Sequence, residues 1–127
     1  MKILVLSDSH GNVDNMARCV EMVNPRHILH LGDCIRDAEA LAELFPEIPM
    51  TAVPGNCDWG RTEQGEVLVE LAGRRILLMH GHTHYSMVDY DGTLYIMNPG
   101  SIGDYHAPTY GVITVEGSRT DCSVYRL

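Results

Sequence analysis

Lys2-Ile3-Leu4-Val5-Leu6-Ser7-Asp8-Ser9-His10-Gly11-Asn12 decides the fold. Lys2 to Leu6 reads as a continuous apolar strand, the mark of burial on both faces. The run breaks into a polar cluster in which Asp8 and His10 alternate onto one face just past the strand end. In an open α/β sheet that crevice is where ligands bind. Val13, Met16, Ala17, Val20 and Val23 then recur at helical spacing. Asn12 is placed to cap this helix and Asn24-Pro25 to stop it.

The unit repeats. His27 to Leu31 is a second strand, ending at Gly32-Asp33, with His27 and His30 read as surface or core residues because they precede the strand end. A short helix is expected over Asp37 to Leu44, terminated by Pro46. Met50 to Val53 is a third strand, ending at Pro54-Gly55-Asn56-Cys57-Asp58. Strand–helix alternation implies a parallel sheet whose strand C-termini share one edge. Asp8 with His10, Asp33, and Asn56 with Asp58 should therefore converge.

Beyond Trp59 the pattern becomes antiparallel. Glu66 to Leu71 and Arg74 to Met79 form a hairpin around Ala72-Gly73; Tyr85 to Tyr90 and Thr93 to Met97 form another around Asp91-Gly92. Tyr110 to Val115 and Thr120 to Arg126 form the last, around Glu116-Gly117-Ser118. Met16, Met22, Met50, Met79 and Met97 are read as core fillers. Between the first two hairpins lies His80-Gly81-His82-Thr83-His84, three histidines at alternate positions after an apolar run. Their side chains leave the strand on the same face.

The 127 residues are expected to form a single domain, 1–127. No apolar run is long enough for a transmembrane helix, and Met1 to Leu6 is too short for a signal peptide, so a cytoplasmic protein with no membrane partner is expected. Cys19, Cys34, Cys57 and Cys122 form no C-x-x-C pair and read as free thiols. A net charge of -8 disfavours non-specific binding to nucleic acid or a membrane surface. Two bound divalent cations would add about +4 locally and allow a phosphate to approach.

Asp8, His10, Asp33, Asn56, His80, His82 and His84 form a mixed set of carboxylate, amide-oxygen and imidazole donors. Such donors suit Mn²⁺, Fe²⁺, Zn²⁺ or Ni²⁺, and their number exceeds one tetrahedral site. Two metals sharing a carboxylate are expected.

D-x-H, G-D, G-N-C-D and G-H-T-H, in that order, resemble the calcineurin-like metallophosphoesterases. Asn98-Pro99-Gly100-Ser101 and the ending Tyr125-Arg126-Leu127 resemble the small bacterial and archaeal phosphodiesterase branch. The resemblance implies an α/β fold, an α-β-β-α sandwich with mixed sheets and the metals at the strand ends. It implies Asp8 and His10 as ligands of a first metal, Asp33 as the bridging carboxylate, and Asn56 as a ligand of the second. His82 and His80 match second-metal ligands and His84 a first-metal ligand. Asp33, Asn56 and His10 would form the catalytic set, with Asn12 and Cys57 beside the substrate. Cys57 stands where many relatives carry a histidine, and a thiol is a poorer proton donor to an alkoxide leaving group.

The implied activity is hydrolysis of a phosphoester, most simply a phosphodiester, by a hydroxide bridging two divalent metals, Mn²⁺ foremost, with Zn²⁺, Fe²⁺ and Ni²⁺ as alternatives. The same fold looks like that of a retromer scaffold subunit, so a protein-binding scaffold with weak or no catalysis is the other reading. In the family, the H-G-H and G-H-T-H motifs are separated by a helix and a strand, whereas here they share Gly81 and His82. One helix and one strand are therefore expected to be missing, which would leave the second metal with fewer protein ligands and expose sheet surface suited to a homo-oligomer.

Overall fold

The computed structural model describes residues 1–32, 35–53, 66–80 and 85–127. In chain order the elements are β1 (Lys2–Leu6), α1 (Val13–Val23), β2 (His27–His30), α2 (Ile35–Leu44), β3 (Met50–Ala52), β4 (Glu66–Leu71), β5 (Arg74–Met79), β6 (Met87–Tyr90), β7 (Tyr95–Asn98), β8 (Thr109–Glu116) and β9 (Arg119–Arg126). The main sheet has the order β3-β2-β1-β8-β9. β1 runs parallel to β2, and β2 to β3, while β8 enters antiparallel on the other side of β1. The sheet is thus mixed, as expected for this α/β fold. β4–β5 and β6–β7 are separate two-stranded hairpins.

β1 explains the layering. Its side chains alternate between faces, and both faces are dry. Leu4 and Leu6 pack with Met16, Cys19 and Val20 of α1, Leu41 of α2 and Tyr110 and Val112 of β8. Ile3 and Val5 enter a second cluster with Leu29, Leu31, Val53 and Leu78, against which Val67, Val69, Ile76 and Met97 of the hairpins pack. Helices therefore cover one face of the main sheet and hairpins the other. Burying each such aliphatic side chain contributes about 1.5–3 kcal/mol before the entropy of ordering it is counted.

α1 has its expected bounds. Asn12 accepts a hydrogen bond from the Asn15 N–H at 3.0 Å as N-cap, and Asn24 ends the helix in the left-handed region with φ 52°. α2 starts two residues before the expected Asp37, at Ile35, which is buried. Two methionines depart from the core expectation: Met22 is 58% exposed and Met79 is 53% exposed. With Met16, Cys19 and Val20 facing in, the 100° step of a helix turns position 22 outwards. Met79 follows buried Leu78 on a strand, so it takes the opposite face. Among the described residues both helices lie on the α1–α2 side of the main sheet and none covers the outer side of the two hairpins.

Candidate metal centre

The polar cluster after β1 is held by backbone from two directions. The Asp8 N–H donates to the Gly32 carbonyl at 2.9 Å, tying it to the end of β2. The Asp8 carbonyl accepts from the Gly103 N–H at 3.1 Å and from Ser101 Oγ at 2.8 Å, and the Ile102 N–H donates to Ser7 O at 3.0 Å. Under this clamp both Asp8 (φ 53°) and His10 (φ 45°) adopt the left-handed region. That conformation is uncommon outside glycine. The two side chains are therefore brought together by a folded loop, and not by the strand alternation that the sequence suggested.

Gly103 is the closest point of the clamp. A β-carbon there would strike the Ser9 carbonyl oxygen and come within 2.8 Å of the Asp8 carbonyl oxygen. Only glycine lets the chain approach so near.

Asp8 is almost fully buried, and its Oδ2 accepts from Ser7 Oγ at 2.8 Å. Its Oδ1 faces His10 Nε2 at 3.9 Å, with the imidazole reaching partly into solvent. One carboxylate oxygen and one ring nitrogen thus face each other at the C-terminal edge of the sheet.

Behind this pair lies a buried polar chain. The Gly32 N–H donates to His30 Nδ1 at 3.2 Å, which places the ring proton of the neutral tautomer on Nε2. His30 Nε2–H then donates to Ser9 Oγ at 3.1 Å, and Ser9 Oγ–H to Asp37 Oδ2 at 2.7 Å. The same carboxylate oxygen accepts from the Gly11 N–H at 2.7 Å. Ser9 sits between Asp8 and His10, so the chain fixes their loop to β2 and α2. His30 is a core residue, one of the two roles expected of it. Ser9 and Asp37 drew no notice in the sequence; the one signal is the polarity of Asp37 on the face of α2 that Ile35, Ala38 and Leu41 bury.

Of the other expected site residues, His80 lies just past β5. Its Nδ1 donates to the Leu31 carbonyl at 2.9 Å, since a carbonyl can only accept. A ring whose Nδ1–H is held by a carbonyl would bind a metal through Nε2, the arrangement common among metal-bound histidines. Asn12 spends its side-chain oxygen on capping α1, which leaves its amide nitrogen as the group suited to a phosphate oxygen. Asp33, Asn56, Cys57, His82 and His84 lie outside the described residues. Among the described residues alone, no three acidic, histidine or cysteine side chains gather as a metal site. The donors that are described are oxygen and imidazole nitrogen, which fit a divalent transition metal and not a thiolate-type structural zinc.

Residues 1–82 match the family model for the calcineurin-like phosphoesterase superfamily domain. A Bacillus subtilis protein named "Probable metallophosphoesterase YsnB" is 32% identical over 91 residues, covering 66% of this chain and 48% of the relative. The chain thus spans about half the length of the curated relatives it matches. Among solved structures, an archaeal phosphodiesterase superposes with a TM-score of 0.78 at 20% identity, covering 98% of this chain and 100% of that one. Vps29 from Entamoeba histolytica, in complex with zinc, superposes with a TM-score of 0.72 at 16% identity, covering 99% of both chains. At these identities the structural likenesses speak to the fold.

Proposed function

This chain belongs to the calcineurin-like phosphoesterase superfamily, and from that premise we propose that it is a metal-dependent phosphodiesterase. The observation that carries the reading is the pair of Asp8 Oδ1 and His10 Nε2, turned towards each other at the C-terminal edge of the sheet. Asp8, His10, Asp33 and His84 would hold one metal; Asp33, Asn56, His82 and His80 would hold a second. Bound there, Mn²⁺ or a similar divalent ion would supply a hydroxide nucleophile near neutral pH and offset charge on the phosphoryl oxygens. The protein's own part is positioning. Ser7 orients the Asp8 carboxylate, and the Ser9–Asp37 bond and the Gly103 clamp hold the loop that carries both donors. The Asn12 amide nitrogen would donate to a phosphate oxygen, and Cys57 would stand near the leaving group.

The test is turnover of a chromogenic phosphodiester by metal-free protein given Mn²⁺. Metal-dependent turnover is expected, and Asp33→Ala should abolish it while the circular dichroism spectrum stays folded. Wild-type-like turnover in Asp33→Ala would sink the bridged two-metal mechanism.

A second reading, a protein-binding scaffold, is favoured by the apolar side chains that the hairpins leave in solvent, Leu68, Leu77, Met79 and Ile96 among them. No turnover with Mn²⁺, Zn²⁺, Fe²⁺ or Ni²⁺ would move the conclusion to it.

A further inference from the structure

The β4–β5 hairpin has two unlike faces. Val67, Val69, Ile76 and Leu78 point into the core cluster. The cross-strand pairs Glu66 with Met79, Leu68 with Leu77 and Glu70 with Arg75 lie on the other face. There Leu68 is 62% exposed and Leu77 is 56% exposed. The β6–β7 hairpin is exposed on both faces: Met97 packs inwards but Val88, Tyr90 and Tyr95 on its face are exposed, and so are Met87 and Ile96 on the opposite face. Large apolar side chains in contiguous exposed rows mark an interaction surface.

The register of β4–β5 indicates what covers this surface. The outward face reads as three rows, an acid beside a methionine, two leucines, then an acid beside an arginine. A second copy stacked face to face about a two-fold axis along the strands exchanges the two columns within each row. Leu68 then meets Leu77 of the second copy, Glu70 meets Arg75 of the second copy, and Glu66 meets Met79 of the second copy, each contact occurring twice. Sheets stack about 10 Å apart, a gap that paired Glu and Arg side chains can span. The other in-plane axis, across the strands, would set Glu66 against Glu70 and Met79 against Arg75, like charge on like and apolar on charge. Both arrangements leave a methionine beside a charge, but only the first pairs opposite charges and sets no like charges together.

We propose that the chain forms a two-fold symmetric dimer through the outward face of β4–β5, with reciprocal Glu70–Arg75 pairs flanking the Leu68–Leu77 contacts. This goes beyond the proposed activity and does not depend on it. The interface is isologous, as closed dimers require.

Sedimentation velocity tests it without any activity measurement. Wild type should sediment as a dimer at high micromolar concentration. Glu70→Arg alone and Arg75→Glu alone each set like charges against each other across the axis, and each should sediment as a monomer. An equimolar mixture of the two variants restores opposite charges at both contacts and should recover the dimer. Circular dichroism confirms that each variant is folded. If a charge variant fails to fold, Leu77→Ser serves instead, and should weaken dimerisation on the order of tenfold or more. A wild type that stays monomeric leaves the face to a different partner and overturns the proposal. So does a mixture of folded variants that stays monomeric, or an unchanged dimer in Leu77→Ser.

Discussion

A few residues whose backbone conformation departs from the ordinary make the site. Asp8 and His10 sit in the left-handed region because their loop is bonded to β2 on one side and to residues 101–103 on the other. The sequence singled out both residues, since D-x-H after a buried strand is a local pattern. It could not name Gly103, which acts across more than ninety positions of chain on the carbonyls of Asp8 and Ser9. Gly103→Ala should therefore push the loop away. The expected result is a loss of about 1–3 kcal/mol of stability by urea unfolding, the usual range for overpacking. Mn²⁺ affinity by calorimetry should fall in the same variant. A variant with unchanged stability and affinity would mean that the clamp is slack. Ser9 and Asp37 escaped the sequence reading for a related reason: their bond joins a loop to a helix, and nothing in the spacing of either announces the other.

At the scale of elements the sequence was most readable where one periodicity ruled. β1, α1, β4 and β5 have the expected bounds, because a buried strand, a capped amphipathic helix and an alternating hairpin each carry a local signal. The pairing of β8 beside β1 was not legible, since long-range strand order leaves no trace in either strand's pattern. The β4–β5 turn carries a local cost: Ala72 (φ 52°) and Gly73 (φ 75°) both take positive φ, the demand of a two-residue hairpin turn. Ala72→Gly should relieve the strain of an alanine there, stabilising by about 1 kcal/mol on a urea midpoint. No gain would show that the turn is already relaxed. In α1, burial pushes the Cys19 thiol from 9.0 up to about 12. The unfolded chain then loses this proton first. The stability contributed by the neutral thiol is complete below pH 9.0 and is lost as pH rises from there towards 12. Urea midpoints across that window should fall less steeply in Cys19→Ala than in wild type. Parallel slopes would assign the alkaline loss to other groups, Cys122 among them, whose thiol burial raises to about 11.

Across the whole molecule, the parallel strands do what an open α/β sheet does: the ends of β1 and β2 meet, and the polar residues gather at that edge. On the proposed reading, the hairpin layer would decide how completely two metals are held. In sequence β5 is followed directly by His80-Gly81-His82-Thr83-His84, in which the two histidine motifs share Gly81 and His82. One strand cannot serve two strand positions. If β5 takes the later position, His82 and His84 keep their roles, and the first metal has Asp8, His10, Asp33 and His84. The second would then be left with Asp33, Asn56 and His82, with water to complete it. If His80 stays at the second metal, as its bond to the Leu31 carbonyl equips it to do, the later histidines are displaced from the first. Either way one site would lose a protein ligand, and metal affinity depends strongly on ligand number and type. Calorimetric titration of metal-free protein with Mn²⁺ should show one tight event and one weak one. Thermal unfolding supplies a readout independent of catalysis, because a ligand bound only to the folded chain raises the midpoint as its concentration exceeds its Kd. The midpoint should rise steeply over the first equivalent and then slowly under excess metal. Two equally tight events would mean that both shells are complete despite the fused motif.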